Sequence, residues 1–280
     1  MPELPEAEVV RRGVERAVGG RTVVAFTVGR DRAVRRDPDP ASLPGLVTGR
    51  TVAGVARVGK VLVLDLGPGR SGAADLLVVH LGMSGQLRTA ADDRARPPHT
   101  HVVWSLDDGA ELRFVDPRTF GHVRRSVRRS DGRPESLAHF GPDAWDVDAG
   151  ALGAALAGRR VAVKTRLLDQ TAVAGLGNIY ADEALHRAGV SPLRPAGDLV
   201  PAEVARLADA VRDVLRAAVS AGGSTLDDGG YVDVDGRPGR FQGEHRVHAR
   251  AGRACPGCGG TILRVTLGGR SAAWCPRCQV

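Results

Sequence analysis

Cys255-Pro256-Gly257-Cys258, then sixteen residues, then Cys275-Pro276-Arg277-Cys278: this C-terminal stretch decides how the chain is organised. A C-x2-C spacing puts two thiolates on one knuckle, and two knuckles on a hairpin complete a tetrahedral shell with no open position. The chemistry predicted is one structural Zn2+ held by Cys255, Cys258, Cys275 and Cys278. Redox cysteines are the competing reading, and closure by four thiolates argues against it. Between the knuckles, Thr261 to Leu267 is strand-like, and Gly268-Gly269-Arg270-Ser271 is a turn that presents Arg270 at a fingertip. An arginine there suits phosphate or a site oxyanion. Because all four cysteines lie between 255 and 278, no disulfide framework spans the chain, and a cytoplasmic location is expected.

Working outward, 280 residues allow a core of good size in one or two domains with a small appended module. Hydrophobic residues make up 42% and charged residues 25%, as in an ordinary soluble globular protein, and disorder is not indicated. Aromatics are only 4%, so the core must be built from Val, Leu and Ala. No apolar run approaches the roughly 20 residues of a membrane span, and the acidic start is unlike a signal peptide. The net charge is +7 with a pI near 10.0, and arginine greatly outnumbers lysine. That balance points to a polyanionic partner, although a genomic base bias toward Arg, Ala and Gly accounts for it equally well.

The other end carries the candidate chemistry. In Met1-Pro2-Glu3-Leu4-Pro5-Glu6-Ala7-Glu8, removal of Met1 before a small residue leaves Pro2 with a free secondary amine. An α-amino group titrates near 8, so an unprotonated, nucleophilic fraction exists at neutral pH. Behind it, Pro5 fits a first helical turn, and Val9, Val10, Val14, Ala17 and Val18 recur at helical spacing up to Gly19-Gly20. The positive end of that helix disfavours the ammonium form of Pro2 and favours ionised Glu3 and Glu6. A secondary amine that attacks a sugar C1′ yields an iminium, an electron sink for elimination. A plain capped helix is the alternative for the stretch on its own.

After this helix, Thr22 to Val28, Thr51 to Val58, Val61 to Leu66, Leu76 to Leu81, His101 to Leu106 and Glu111 to Val115 read as strands, with a charged loop from about 30 to 45. Their spacing predicts an antiparallel sandwich. The basic run Arg124 to Arg129 and the polar residues through Pro134 mark a change of domain near 130 to 145, and helices follow to about 222. The longest starts at Pro201 and places Val204, Leu207, Val211, Leu215 and Val219 on one face. The expected division is 1–130, 145–223, a connector at 224–244, and a zinc module at 245–280.

Three loops stand out. Lys60 lies between two strands in Arg57-Val58-Gly59-Lys60, a position for a solvated or cleft-facing amine. His80-Leu81-Gly82-Met83-Ser84-Gly85 and Asp116-Pro117-Arg118-Thr119-Phe120-Gly121 each end a strand and can present Met83, or Arg118 and Phe120, outward; apolar wedges beside an arginine are what proteins insert between bases. Core burial is the competing fate for Met83. Gly175-Leu176-Gly177-Asn178-Ile179-Tyr180 joins two helices and offers backbone N–H groups and Asn178 to an anion, or is simply an αα-corner.

Taken together, the Pro2 to Glu6 start, Gly59-Lys60, His80 to Gly85, Asp116 to Gly121, Gly175 to Tyr180 and Gly268 to Cys278 resemble, in order and over nearly the whole chain, the bacterial formamidopyrimidine-DNA glycosylases of the Fpg/Nei superfamily. The resemblance implies an α+β multidomain protein: an N-terminal antiparallel β-sandwich with a leading helix, a helix-two-turns-helix domain and a C-terminal four-cysteine zinc finger, clamping DNA. It implies excision of 8-oxoguanine and formamidopyrimidines from damaged double-stranded DNA, followed by β,δ-elimination, by a monomer that is nucleoid-associated when bound.

Carried over by position, Pro2 forms the Schiff base, Glu3 exchanges protons at the deoxyribose, Lys60 acts in β-elimination and Arg270 in δ-elimination. Met83, Arg118 and Phe120 fill the gap left by the flipped nucleotide; His99, Asn178, Arg159, Arg160 and Lys164 contact DNA. Ser224-Thr225 opens a lesion-sensing loop. Arg159 stands where the family often has lysine, and His245 and His248 replace an apolar residue and a tyrosine. Two other readings stay open from sequence alone: a non-catalytic zinc-ribbon DNA-binding protein, and a Nei-type oxidised-pyrimidine glycosylase.

Overall fold

The computed structural model describes residues 2–67, 76–91, 93–226 and 230–280. Helix α1, Leu4–Val18, begins at Glu3, whose backbone N–H donates to the Glu6 carboxylate at 2.8 Å in a capping box, with Pro5 in the first turn. Its buried stripe of Leu4, Ala7, Val10, Val14 and Val18 faces the strands β1 Val23–Val28, β2 Gly54–Val58, β3 Val61–Asp65, β4 Leu76–His80, β5 Gln86–Ala91, β6 Thr100–Leu106, β7 Ala110–Val115 and β8 His122–Ser126, with the short helix α2, Leu43–Val47, after β1. They form two antiparallel sheets, ordered β1-β6-β7-β5 and β2-β3-β4-β8. Leu62, Leu64, Leu77 and Val79 of one sheet and Leu87, Val102, Trp104 and Phe114 of the other close a single core with α1, the sandwich predicted from the strand spacing.

Two strands of the sandwich are not marked by the sequence pattern. β5 contains Gln, Arg, Thr and Ala rather than a β-branched run, and β8 runs into the basic stretch that begins at Arg124 and leads to the expected domain change. Both are held as strands by long-range pairing, β5 to β7 and β8 to β4, which overrides weak local propensity.

The chain divides into two compact units, 1–138 with 222–239, and 139–221 with 240–280. This differs from the expected boundaries, because residues 222–239 belong to the sandwich unit. Tyr231 and Val234 join its core, and Thr89 N–H donates to the Val234 carbonyl at 3.2 Å. A Cβ on Gly13 of α1 would come within 2.4 Å of Val234, so only glycine lets the helix and the returning segment meet.

The second unit holds α3 Ala149–Leu156, α4 Val163–Leu167, α5 Asn178–Ala188, α6 Pro201–Ser220 and the hairpin β9 Leu263–Leu267 with β10 Arg270–Trp274. α6 buries the five predicted apolar positions, from Val204 to Val219. The turn before α5 is organised by Gln170, whose Nε2 donates to the carbonyls of Leu168 and Leu176 while its Oε1 accepts from Gly175 N–H at 2.9 Å.

Candidate active site

In the sandwich unit, Pro2 and Glu3 are buried at the N-terminus of α1. Glu6, only 1% exposed, fixes this end twice: Oε2 accepts the Glu3 N–H, and Oε1 accepts the Ser224 N–H at 2.7 Å. Glu8 on the same helix binds Arg11, Arg12 and Arg57; burial works to raise its pKa, and these guanidinium groups outweigh burial and hold it below the usual range. Arg57 Nη1 in turn donates to the Gly59 carbonyl at 2.6 Å. Gly59 and Lys60 form the two-residue turn between β2 and β3, and Gly59, at φ 58, supplies the positive φ such a turn requires. Lys60 is therefore held at a hairpin tip, half-buried; burial first, and then the charge of Lys60, lowers the pKa of His80.

Met83, Arg118 and Phe120 come together on this unit. Met83 is 38% and Phe120 42% exposed, so the core-burial alternative for Met83 does not hold. The Arg118 guanidinium lies 4.9 Å from the centre of the Phe120 ring. Their loops are locked to one another by Asp116, which is fully buried. One carboxylate oxygen accepts from Ser84 Oγ at 2.5 Å and the other from Gly121 N–H at 2.8 Å. A Cβ on Gly82, which has φ 68, would lie 2.4 Å from the Gly121 nitrogen. Below the loops, His80 and His122 stack with ring centres 5.3 Å apart, and His80 Nδ1 accepts the Gly82 N–H. The exposed His99 has φ 66, and its carbonyl accepts from Asp116 N–H. Among the described residues, the non-glycine positions with positive φ are His99, Thr119 and Ala249. The first two fall at or beside expected DNA contacts, as strained backbone tends to.

In the second unit, Arg270 is exposed at the hairpin tip, where Gly268 and Gly269 both have positive φ. Asn178 is the first residue of α5. Its Nδ2 donates to Ser271 Oγ at 3.4 Å, and its buried Oδ1 has no partner among the described residues. Arg159 is exposed after α3.

Lys164 corrects the sequence reading. It is fully buried, its Nζ donating to Asp182 at 2.6 Å and to the Ser271 carbonyl. Asp182 also binds His248 Nδ1 at 2.9 Å, while the neighbouring Glu183 accepts the backbone N–H groups of Arg246, Val247 and His248. Lys164 is thus an internal counter-ion tying α4 and α5 to β10 beside Arg270, not a surface phosphate contact. A lysine in a basic stretch gives no sign of this, because its acidic partner lies eighteen residues away.

The four cysteine Sγ atoms lie within 4.8 Å of one another, with Cys255–Cys278 at 3.8 Å and Cys258–Cys275 at 3.4 Å. Zn–S bonds of about 2.3 Å in a tetrahedron require S–S edges of about 3.8 Å, so these residues fit a structural Zn2+. Cys255 accepts from Gly257 N–H and lies 3.4 Å from His186 Nε2; Cys258 accepts from Gly260 N–H.

Residues 1–123 match the model of the formamidopyrimidine-DNA glycosylase N-terminal domain, 140–229 that of its H2TH domain, and 252–280 the zinc finger found in FPG and IleRS. The formamidopyrimidine-DNA glycosylase of Syntrophotalea carbinolica is 45% identical over the full length of both chains. The chain belongs to the formamidopyrimidine-DNA glycosylase family.

Among solved members of the formamidopyrimidine-DNA glycosylase family, the MutM (FPG) protein of Thermus thermophilus is 40% identical with a TM-score of 0.82, covering 99% of this chain and 98% of its own. A Lactococcus lactis FPG variant, in complex with a Fapy-dG containing DNA, is 29% identical with a TM-score of 0.85, covering 99% of each chain. Like this family, the chain carries a structural zinc finger. The sequence reading named the amine, the wedge residues and the thiolates. Glu6 is legible as a carboxylate at the start of the helix, but its bond to Ser224, the link from Asp116 to Ser84 and the pairing of Asp182 with Lys164 and His248 join distant parts of the chain and have no local signature.

Proposed function

We propose that this protein is a bifunctional DNA glycosylase and AP lyase of base excision repair, acting on oxidised purines in duplex DNA. Family membership supports the activity. The relatives are named for formamidopyrimidine release, which favours the oxidised-purine substrate over oxidised pyrimidines and over a non-catalytic zinc-ribbon protein. The observation that carries the assignment of residues is the buried Pro2-Glu3 start, oriented by Glu6.

In this reading the Pro2 amine, freed of Met1 and kept less basic by the start of α1, attacks C1′ as the base leaves, and the resulting iminium withdraws electrons from the sugar. Glu3 moves protons at the deoxyribose. Lys60, at its hairpin tip, removes a proton at C2′ so that the 3′ phosphate leaves, and Arg270 assists departure of the 5′ phosphate. Met83, Arg118 and Phe120 fill the space vacated by the extruded nucleotide, with Arg118 facing the orphaned cytosine. His99, Asn178 and Arg159 bind phosphates, which carry no sequence information and suit a lesion that arises anywhere. Zn2+ stabilises the β9–β10 hairpin that bears Arg270 and takes no part in the chemistry. No helix among the described residues is long and apolar enough to cross a membrane; the protein acts as a monomer in the cytoplasm, on the nucleoid when bound.

The deciding experiment is borohydride trapping on duplexes with one 8-oxoguanine opposite cytosine, one thymine glycol, or no lesion, with a Pro2→Gly variant and an intact mass of the protein. A covalent adduct with 8-oxoguanine that requires Pro2 and a mass lacking Met1 is expected. DNA binding without any adduct would defeat the lyase assignment, and preference for thymine glycol would redirect the substrate to oxidised pyrimidines.

A further inference from the structure

The turn that carries Arg118 and Phe120 is strained. Thr119, β-branched, takes φ 54, a conformation that such residues adopt only where the surroundings over-determine it. Two sets of contacts do so. From the core side, the Asp116 carboxylate holds Ser84 Oγ and the N–H groups of Arg118 and Gly121. From the solvent side, two arginines that follow β1 hold three consecutive carbonyls. Arg35 Nη2 donates to Phe120 O at 3.0 Å and Nη1 to Gly121 O at 2.8 Å, and Arg32 Nε donates to Thr119 O at 3.4 Å. Arg35 Nη1 also donates to the Arg32 carbonyl at 2.6 Å, which ties its own segment into the clamp.

A side chain that displaces a stacked base must not yield while it does so, and Phe120 is 42% exposed on a turn whose backbone is disfavoured. A planar guanidinium can span two successive carbonyls, whereas an ammonium is a point donor. We propose that Arg35 is a positioning residue for base extrusion: its guanidinium locks the Phe120 and Gly121 carbonyls and so keeps the wedge turn in its strained, outward-pointing form. This rests on the reading of Met83, Arg118 and Phe120 as the gap-filling residues.

The test compares the wild-type protein with Arg35→Ala, Arg35→Lys and Phe120→Ala. Base release is measured in single turnover on a duplex with 8-oxoguanine opposite cytosine, and strand cleavage on a duplex with a preformed abasic site, where no base has to leave the stack. Both Arg35 variants are expected to release the base between about tenfold and about a hundredfold more slowly, the range that misplacement by an ångström brings, while cleaving the abasic strand within twofold of wild type at unchanged Tm. Lysine matching wild type, with the alanine variant's salt dependence of DNA binding reduced by about one charge, would make Arg35 a phosphate contact and overturn the proposal. So would wild-type rates in both variants, or equal losses on both substrates with a lowered Tm. Unchanged base release by Phe120→Ala would instead sink the gap-filling reading itself, independently of Arg35.

Discussion

Glu6 Oε1 accepts the backbone N–H of Ser224 at 2.7 Å, across 218 residues of chain. The same carboxylate accepts the Glu3 N–H, so one buried anion joins the N-terminal candidate nucleophile to the segment that re-enters the sandwich unit after α6. Gly223, at φ 83, makes this contact possible, since a Cβ there would lie 2.9 Å from Glu6 Oε1.

Glu6→Gln keeps the shape but turns one acceptor into a donor that faces an N–H. The variant should lose about 1–3 kcal/mol of stability, the cost of an unsatisfied buried group, and should slow base release more than it weakens DNA binding. Chemical denaturation and single-turnover kinetics measure the two effects; an unchanged midpoint would mean that the contact is dispensable.

Lys164 and Asp182 are each about 1% exposed at the side chain. Lys164→Met strands a buried carboxylate, so a destabilisation of about 3–5 kcal/mol is expected. Residual folded protein should bind DNA with the wild-type salt slope. A slope lower by about one would place the amine on phosphate after all.

His80 and His122 give the molecule an acid-sensitive spot. Burial, then Lys60, Arg36 and Arg35, pull His80 down to about 4; burial, then His80 and the neighbouring arginines, including Arg124, pull His122 down to about 3. Both folded values lie below the ordinary 6.5, so the unfolded chain binds protons first as pH falls. Their contribution is complete above about 6.5 and is lost progressively toward the folded values. In His122→Phe, the fall of Tm between pH 6.5 and 4 should be shallower than in wild type, and parallel curves would show that the pair titrates normally.

The zinc thiolates can only accept hydrogen bonds, so His186 carries its proton on Nε2, which faces Cys255 Sγ at 3.4 Å. Losing a donor of this kind typically costs 10- to 100-fold in metal affinity. His186→Phe should therefore release zinc to a chromophoric chelator at least about tenfold faster than wild type; identical release rates would remove His186 from the metal's support. Stripping the zinc should unfold the β9–β10 hairpin, visible as a loss of structure by circular dichroism.

Much of this was legible locally. Helical spacing placed α1 and α6, β-branched runs placed six strands of the sandwich and β9, and two C-x2-C knuckles placed the metal, because each signal lies within one element or one hairpin. β5 and β8 were not legible, since their side chains are polar and their partners, β7 and β4, lie elsewhere in the chain. Lys164 was misread for the same reason: a basic residue beside Arg159 and Arg160 looks solvent-facing until Asp182 is brought against it.

The sequence by itself determined the main helices, most strands of the sandwich and the zinc ligands, because periodicity and thiolate spacing are properties of the chain, and its family resemblance supplied the candidate site residues. Tertiary structure alone decided which distant partners the buried carboxylates hold. Glu6 on Ser224, Asp116 between two loops and Asp182 on Lys164 are contacts across 18 to 218 residues. A buried charge finds its partner through packing, and no local pattern encodes a distance that only the closed core sets.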